Sequence, residues 1–212
     1  MKTNFLGMMK LGLILAVFAA TACIMLAFVY SGTSSVIAQR QRADLEAALK
    51  ELFPNADDFE KIDEIKSPDQ AVAIDNAYAA LKNGEIIGAA LSLSRASYSG
   101  PIRTMAGVNA EGFITGVKIL EHSDTPGLGA NAASSSYFVD RANGVTFYGQ
   151  FAGKHVSHPF RVKDDIISIT ASTITSRAVA ESVRAAALAV HAWLTGEEAD
   201  AVTSASAKGG EN

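Results

Sequence analysis

The chain has 212 residues, 49% of them hydrophobic and 19% charged, with a formal net charge of −4. That length accommodates one membrane segment and one domain of ordinary size. The acidic balance argues against a nucleic-acid-binding role, which normally needs a basic face. The single cysteine, Cys23, excludes an intramolecular disulfide.

No Asp, Glu, Lys or Arg occurs between Lys10 and Arg40. Within that gap Leu11 to Tyr30 is continuously apolar, and about 20 such residues in a helix cross a hydrocarbon layer of roughly 30 Å. A cleaved signal peptide has a shorter apolar core followed by a polar cleavage region. A lipoprotein site at Cys23 would be followed by a polar tether, whereas Ile24 to Val29 are apolar. The segment therefore reads as an uncleaved anchor, with Cys23 a buried, inert thiol. Lys2 and Lys10 precede it and a polar, uncharged stretch follows, which places the N-terminus inside. Residues 31–212 then lie outside the cytoplasm, carrying all 22 acids and 16 of the 18 bases, a formal charge of −6.

Gly32 to Gln39 reads as a polar stalk. Over 40–53, Leu45, Leu49, Leu52 and Phe53 form one stripe, an amphipathic helix ended by Pro54-Asn55. From about residue 69 the pattern is that of strands. Asn83-Gly84 separates two strand-like runs, a strong hairpin signal because both residues tolerate positive φ. Ser99-Gly100-Pro101 is a turn, Ile102 to Val108 a strand, Asn109 to Gly112 a turn, and Phe113 to Leu120 a strand. About four strands in meander order imply an antiparallel sheet. The loop His122 to Gly129 follows. Residues 137–156 are mixed, with Phe138, Phe147, Tyr148 and Phe151 as core anchors. Ile166, Ile167 and Ile169 read as a short buried strand. Thr175 to Leu194 reads as a helix with Val179, Val183, Ala186, Ala187 and Val190 on its buried face; Arg177, Glu181 and Arg184 sit on the other at ion-pair spacing.

Two stretches carry chemistry. In Thr125-Pro126-Gly127-Leu128-Gly129, Pro126 fixes one turn residue and the glycines allow close backbone approach to a flat or anionic ligand. In SITASTITS (168–176), five hydroxyls stand at the start of the last helix. One hydroxyl suffices for an N-cap. Several hydroxyls beside unpaired N–H groups and the positive end of a helix dipole suit a phosphate. His155 and His158 have a spacing metals sometimes use, but no acid or Cys completes a set, so no metal site is expected. His122 is a candidate flavin contact, and Glu121 and Asp124 are candidates to orient the loop. Trp193 reads as core or partner surface.

Thr170 to Ser176, continuing into Arg177-Ala178-Val179, resembles the flavinylation motif of the FMN-binding domain family found in RnfG and NqrC. Glu121 to Gly129 resembles that family's second signature, and Tyr98-Ser99-Gly100-Pro101-Ile102 its sheet region. The resemblance covers roughly residues 70–192, and the length suits the RnfG type better than the NqrC type. It implies an α+β fold, a single N-terminal transmembrane helix followed by an antiparallel-sheet FMN-binding domain with packing helices. It also implies FMN esterified through its phosphate to Thr173, installed from FAD by a flavin transferase outside the cytoplasm. Thr170, Ala171, Ser172, Ile174 and Thr175 would flank the anchor, and Glu121, Thr125, Pro126, Gly127, Leu128 and Gly129 would form the facing loop. Three departures stand out: Ala171-Ser172 replaces the common Gly-Ala pair, Ile167 stands where an Asp is frequent, and Asp124 replaces a frequent Glu. Ser172 offers a second hydroxyl beside Thr173.

The expected organisation is a cytoplasmic N-terminus (1–10), a transmembrane helix (11–30), a stalk with amphipathic helix (31–68), the FMN-binding domain (69–195) and a flexible tail (196–212). The expected role is an electron relay within an Rnf-type ferredoxin:NAD oxidoreductase complex coupled to ion translocation. Expected partners are the complex's other membrane subunits, the flavin transferase and the lipid bilayer through 11–30, with no nucleic acid. The expected location is the inner membrane, single-pass, with the FMN domain on the periplasmic side. No G-x-G-x-x-G fingerprint or cysteine cluster is present, so no dinucleotide or iron–sulfur site is expected on this chain. The rival readings are an NqrC-type subunit of a Na⁺-translocating NADH:quinone reductase and a membrane-anchored assembly module without flavin.

Overall fold

The computed structural model describes residues 5–196. The first four residues of the expected cytoplasmic segment, and the expected tail beyond Gly196, lie outside them. The chain divides into two compact units, Met1–Asp44 and Leu45–Asn212.

Helix α1, Phe5–Leu52, runs without interruption through the apolar segment and the polar stretch after it. The expected stalk at 32–39 is therefore helical. Its Ser and Thr side chains return hydrogen bonds to carbonyls of the preceding turn, as Thr33 does to Val29 (2.8 Å) and Ser31 to Phe28 (3.1 Å). In the first unit the large apolar side chains from Leu11 to Tyr30 are exposed all around the helix, and Cys23 is exposed rather than buried. Among the described residues this is the one helix long and apolar enough to cross a membrane.

The second unit begins with the last turns of α1. Its sheet has five strands in simple order, all antiparallel: β1 (Asp58–Lys61), β2 (Val72–Lys82), β3 (Glu85–Ala96), β4 (Pro101–Asn109) and β5 (Ile114–Glu121). The β2–β3 hairpin turns on Asn83 (φ 52°) and Gly84 (φ 83°), the pair of left-handed residues that a tight hairpin requires. Strand β1 escapes sequence reading because it is four residues long, mostly exposed and charged, the usual way an edge strand is blunted.

Side chains alternate across the strands and build two cores. One face carries Ala80, Ala90 and Met105 against Ala48, Leu49, Leu52 and Phe53, the stripe expected from the sequence. The other face carries Leu91, Leu93, Ile102, Ala106 and Val108 against helix α2, Thr173–Thr195. Val179, Val183, Ala186, Ala187 and Val190 are all buried there. The α+β architecture expected from the sequence is the one observed.

The segment between β5 and α2 holds a 3-10 turn at Gly129–Ala133, the short pair β6 (Phe138–Asp140) and β7 (Val145–Thr146), and a second 3-10 turn at Gly149–Phe151. Phe147 and Phe151 are fully buried and meet edge to face, with ring centroids 5.7 Å apart. Phe138 is exposed and Tyr148 only half-buried, so two of the four expected aromatic anchors are not core. Ile166 and Ile169 are buried but form no strand; Ile167 is exposed, and its backbone is clamped by the Gln150 amide, which donates to its carbonyl and accepts from its N–H. Glu181 pairs with Arg95 of β3 rather than with Arg177 or Arg184 on its own helix. Trp193 is partly buried and packs against the larger core.

Leu49 lies 3% exposed between α1 and the sheet. Leu49→Ala is expected to destabilise the second unit by about 2–4 kcal/mol, the range for leucine truncation in a packed core. Denaturant unfolding of the detergent-solubilised chain checks it, and a loss below about 1 kcal/mol would show that the end of α1 is not part of the folded unit.

Candidate functional site

Three backbone segments meet at the N-terminus of α2. The first is the turn 97–100 between β3 and β4, closed by Ser97 N–H donating to the Gly100 carbonyl (2.8 Å), with Tyr98 exposed at its tip. The second is the loop after β5. There Leu128 N–H donates to the Thr125 carbonyl (3.1 Å) around Pro126 and Gly127, whose φ of 77° is what a turn with proline in second place demands. The third is 169–175, where Ala171 at φ 60° turns the chain sharply into the helix. A left-handed alanine is strained by roughly 1 kcal/mol, and this is the position at which the common motif has glycine.

Asp124 joins the three. Its buried carboxylate accepts the Ser97 hydroxyl (2.7 Å) and the Ser99 N–H (3.0 Å) from the turn, and the Thr175 hydroxyl (2.8 Å) from the helix. Burial pushes the carboxyl upward, but these hydrogen bonds and the neighbouring His122 outweigh it and hold the group below its ordinary value. Gly129 makes the approach possible: a Cβ there would stand 2.6 Å from Thr175 Oγ1 and 2.7 Å from Asp124.

Between these segments lies a cavity of about 390 Å³, at the small end of ligand-pocket sizes. It is lined by Tyr98, Asp124, Thr125, Leu128, Gly129 and residues 171–175. Of the residues expected from the sequence, Thr125, Leu128, Gly129, Ala171, Ser172, Thr173, Ile174 and Thr175 come together here. Thr170, Pro126 and Gly127 are exposed just outside the lining. Glu121 is turned away, paired with Arg103 at 3.2 Å. His122 is half-buried behind the loop and does not line the cavity, and its Nδ1 has no hydrogen-bond partner among the described residues. Tyr98 lines the cavity, whereas sequence reasoning makes it only part of a turn. The signal that could find it is an aromatic residue at a tight-turn tip, where nothing in the fold buries it.

The hydroxyls at the helix start divide by task. Thr175 is spent on Asp124, and Ser176 accepts from Ile169 N–H (3.0 Å) and donates to the Ser172 carbonyl (2.9 Å). Ser172 occupies the N-cap position yet makes no capping bond, so the ordinary reason for a hydroxyl there does not apply. Among the described residues neither the Ser172 nor the Thr173 hydroxyl has a protein partner, and nor do the N–H groups of Thr173, Ile174 and Thr175. Ser172 is 7% exposed, whereas Thr173 is only half-buried and more accessible. Three unpaired N–H groups and a free hydroxyl at a helix N-terminus fit a phosphate. Tyr98, Leu128 and Ile174, all exposed, supply an apolar rim suited to a flat ring system. The residues present therefore fit the phosphate and ring of FMN.

Residues 97–188 match the FMN-binding domain family, and residues 1–52 match the RnfG N-terminal region. The chain is 31% identical over 194 residues to the RnfG-type subunit of the Na(+)-translocating ferredoxin:NAD(+) oxidoreductase complex of Acetobacterium woodii, covering 82% of this chain and 87% of the relative. It is 33% identical to the corresponding subunit of the proton-translocating ferredoxin:NAD(+) oxidoreductase complex of Clostridium ljungdahlii, covering 77% and 80%. It is 33% identical to that of the ion-translocating oxidoreductase complex of Photorhabdus laumondii, covering 85% and 89%.

All three partners of Asp124 donate to it, so Asp124→Asn presents an amide N–H₂ where only acceptors are wanted. The variant is expected to lose about 2 kcal/mol at pH 7. Because the folded carboxyl titrates below its unfolded value, its contribution is complete above the unfolded pKa and is lost as pH falls through the folded one. The stability gap between wild type and variant should therefore narrow only in the acid range, below the usual carboxylate pKa. Denaturant unfolding at several pH values checks this; a gap independent of pH down to that range would show that the charge is not what matters.

Proposed function

Because this chain belongs to the RnfG family of ion-translocating oxidoreductase subunits, we propose that it is a membrane-anchored electron relay whose FMN is bound covalently through Thr173. The observation that carries the reading is the unpartnered Thr173 hydroxyl beside three unpaired N–H groups in a cavity with an apolar rim. Bound FMN supplies the redox chemistry, and the protein supplies attachment, position and surroundings.

Attachment replaces the Thr173 Oγ–H bond with an Oγ–P bond. In the same exchange the diphosphate of FAD is cleaved, AMP leaves, and the hydroxyl proton passes to a base on the flavin transferase. The resulting diester keeps one negative charge, which the N–H groups of residues 173–175 and the helix dipole stabilise. Asp124 fixes the 97–100 turn, the loop and the helix relative to one another, so the site is preformed. Its negative charge lies behind Thr175 and is already satisfied by three donors, which limits its repulsion of the phosphate. Tyr98, Leu128 and Ile174 offer apolar surface to the ring while leaving one side of the cavity open to a redox partner. An ester bond retains the cofactor at so open a site.

The FMN-binding domain is assigned to 69–195, and α1 anchors it through 11–30 to the inner membrane with that domain on the periplasmic side. In this reading the chain serves a ferredoxin:NAD oxidoreductase complex coupled to ion movement, and electrons enter and leave through the complex's other subunits. Family membership favours this over an NqrC-type subunit.

Coexpression with a flavin transferase, followed by denaturing electrophoresis, tests the anchor. Wild type and Ser172→Ala should both fluoresce, and Thr173→Val should be dark. Fluorescence retained in Thr173→Val and lost in Ser172→Ala would move the ester to Ser172; a dark wild type would leave an assembly module without flavin.

A further inference from the structure

A second cavity, of about 310 Å³, lies where the 159–162 segment faces α2. Three guanidinium-bearing residues line it: Arg161 from the segment, and Arg177 and Arg184 from the helix. Seven residues separate the latter two, which puts them on one helix face two turns apart. None of the three has a carboxylate partner among the described residues. Arg184 Nε is buried without any hydrogen-bond partner among them, a state that costs free energy until an acceptor arrives.

The nearby acids are already engaged. Glu181, on the cavity wall, is paired with Arg95. Asp165 accepts from the Phe160 and Arg161 N–H groups and pairs with Lys154 at 3.6 Å. The segment itself is held in costly backbone: Phe160 at φ 49°, with its ring fully buried, and Lys163 at φ 74°. Two left-handed non-glycine residues within four positions are sustained only because the surroundings fix them, and here they set Arg161 opposite the helix. In residues 31–212, of formal charge −6, this is a local concentration of positive charge with its counter-charges spent elsewhere.

We propose that this cavity receives an acidic side chain from another subunit of the complex and is a docking point for that subunit. The inference rests on the reading that the chain is a complex subunit. The volume suits one or two side chains rather than a helix, and arginine forks bind carboxylates bidentately, as at protein interfaces. Charge complementarity selects the occupant.

The test uses the intact complex, purified from membranes through a tag on a different subunit. The charge-reversal variant Arg161→Glu/Arg184→Glu should reduce the co-purifying chain at least tenfold at physiological salt while its in-gel flavin fluorescence matches wild type. Arg161→Lys/Arg184→Lys should be intermediate, keeping charge but losing the fork. If the double reversal fails to accumulate, Arg161→Glu alone, at an exposed position, carries the test with an expected severalfold loss. A photo-crosslinking residue at Val162 should join the chain to an Asp- or Glu-bearing segment of another subunit. Wild-type retention of the charge-reversed chain, or crosslinks only to this chain's own residues 197–212, would overturn the proposal. So would stabilisation of the wild-type chain by millimolar inorganic phosphate that Arg161→Glu abolishes while complex retention stays unchanged. A fluorescent variant that dissociates leaves the flavin reading intact; a dark wild type that co-purifies breaks the flavin reading and leaves the docking point standing. A wild-type chain that does not co-purify contradicts complex membership and the occupant with it.

Discussion

One carboxylate sets the geometry of the flavin cavity. Asp124 accepts donors from the β3–β4 turn and from the first turn of α2 while standing in the loop after β5. Three segments that are distant in sequence thereby share one buried charge. A charged acceptor with three donors is favourable only when all three are in place, so the arrangement forms as a unit. Aspartate is shorter than the glutamate common at this position, and the loop compensates by coming closer. That approach needs the missing Cβ of Gly129. The glycine that the sequence marks as loop flexibility is in the fold a requirement for packing against Asp124 and Thr175.

The hydroxyl-rich run then follows a division of labour. Thr175 completes the Asp124 cluster, and Ser176 ties the buried Ile169 backbone to the helix. Ala171 supplies the sharp entry at the cost of a left-handed φ. Ser172 lies at the cap but is nearly enclosed, and Thr173 is left at the cavity wall with its hydroxyl uncommitted. A transferase must reach its acceptor, so the more accessible hydroxyl is the better nucleophile by position. The helix N–H groups beside it make the product charge acceptable. The sheet and α2 supply rigidity behind the site, through a core in which Leu91, Leu93 and Val183 are fully buried.

Periodic features are legible in the sequence. The Asn83-Gly84 hairpin, the apolar stripe at the end of α1 and the buried face of α2 follow from spacing alone, because each repeats one local rule. What escapes depends on tertiary context. Strand β1 has too few residues and too much charge to show a pattern. Phe138 and Ile167 are apolar yet exposed, since aromatic and aliphatic identity does not reveal which side of an irregular segment faces the core. The polar stretch 32–39 is helical because its Ser and Thr side chains bond back to the helix itself. Glu121 stands next to the loop in sequence, but Arg103 on the neighbouring strand captures it. Tyr98 and the Ser97–Asp124–Thr175 bonds join residues up to 51 positions apart, which no single-sequence spacing rule can link.

The central claim is a phosphoester between FMN and Thr173. The most direct measurement is peptide mass spectrometry across residues 164–177 of the mature chain, with fragmentation that separates Ser172 from Thr173. The account predicts one peptide population carrying an FMN adduct, with fragment ions placing it on Thr173. An unmodified peptide from a membrane in which other flavinylated proteins are labelled, or fragments placing the adduct on Ser172, would contradict it.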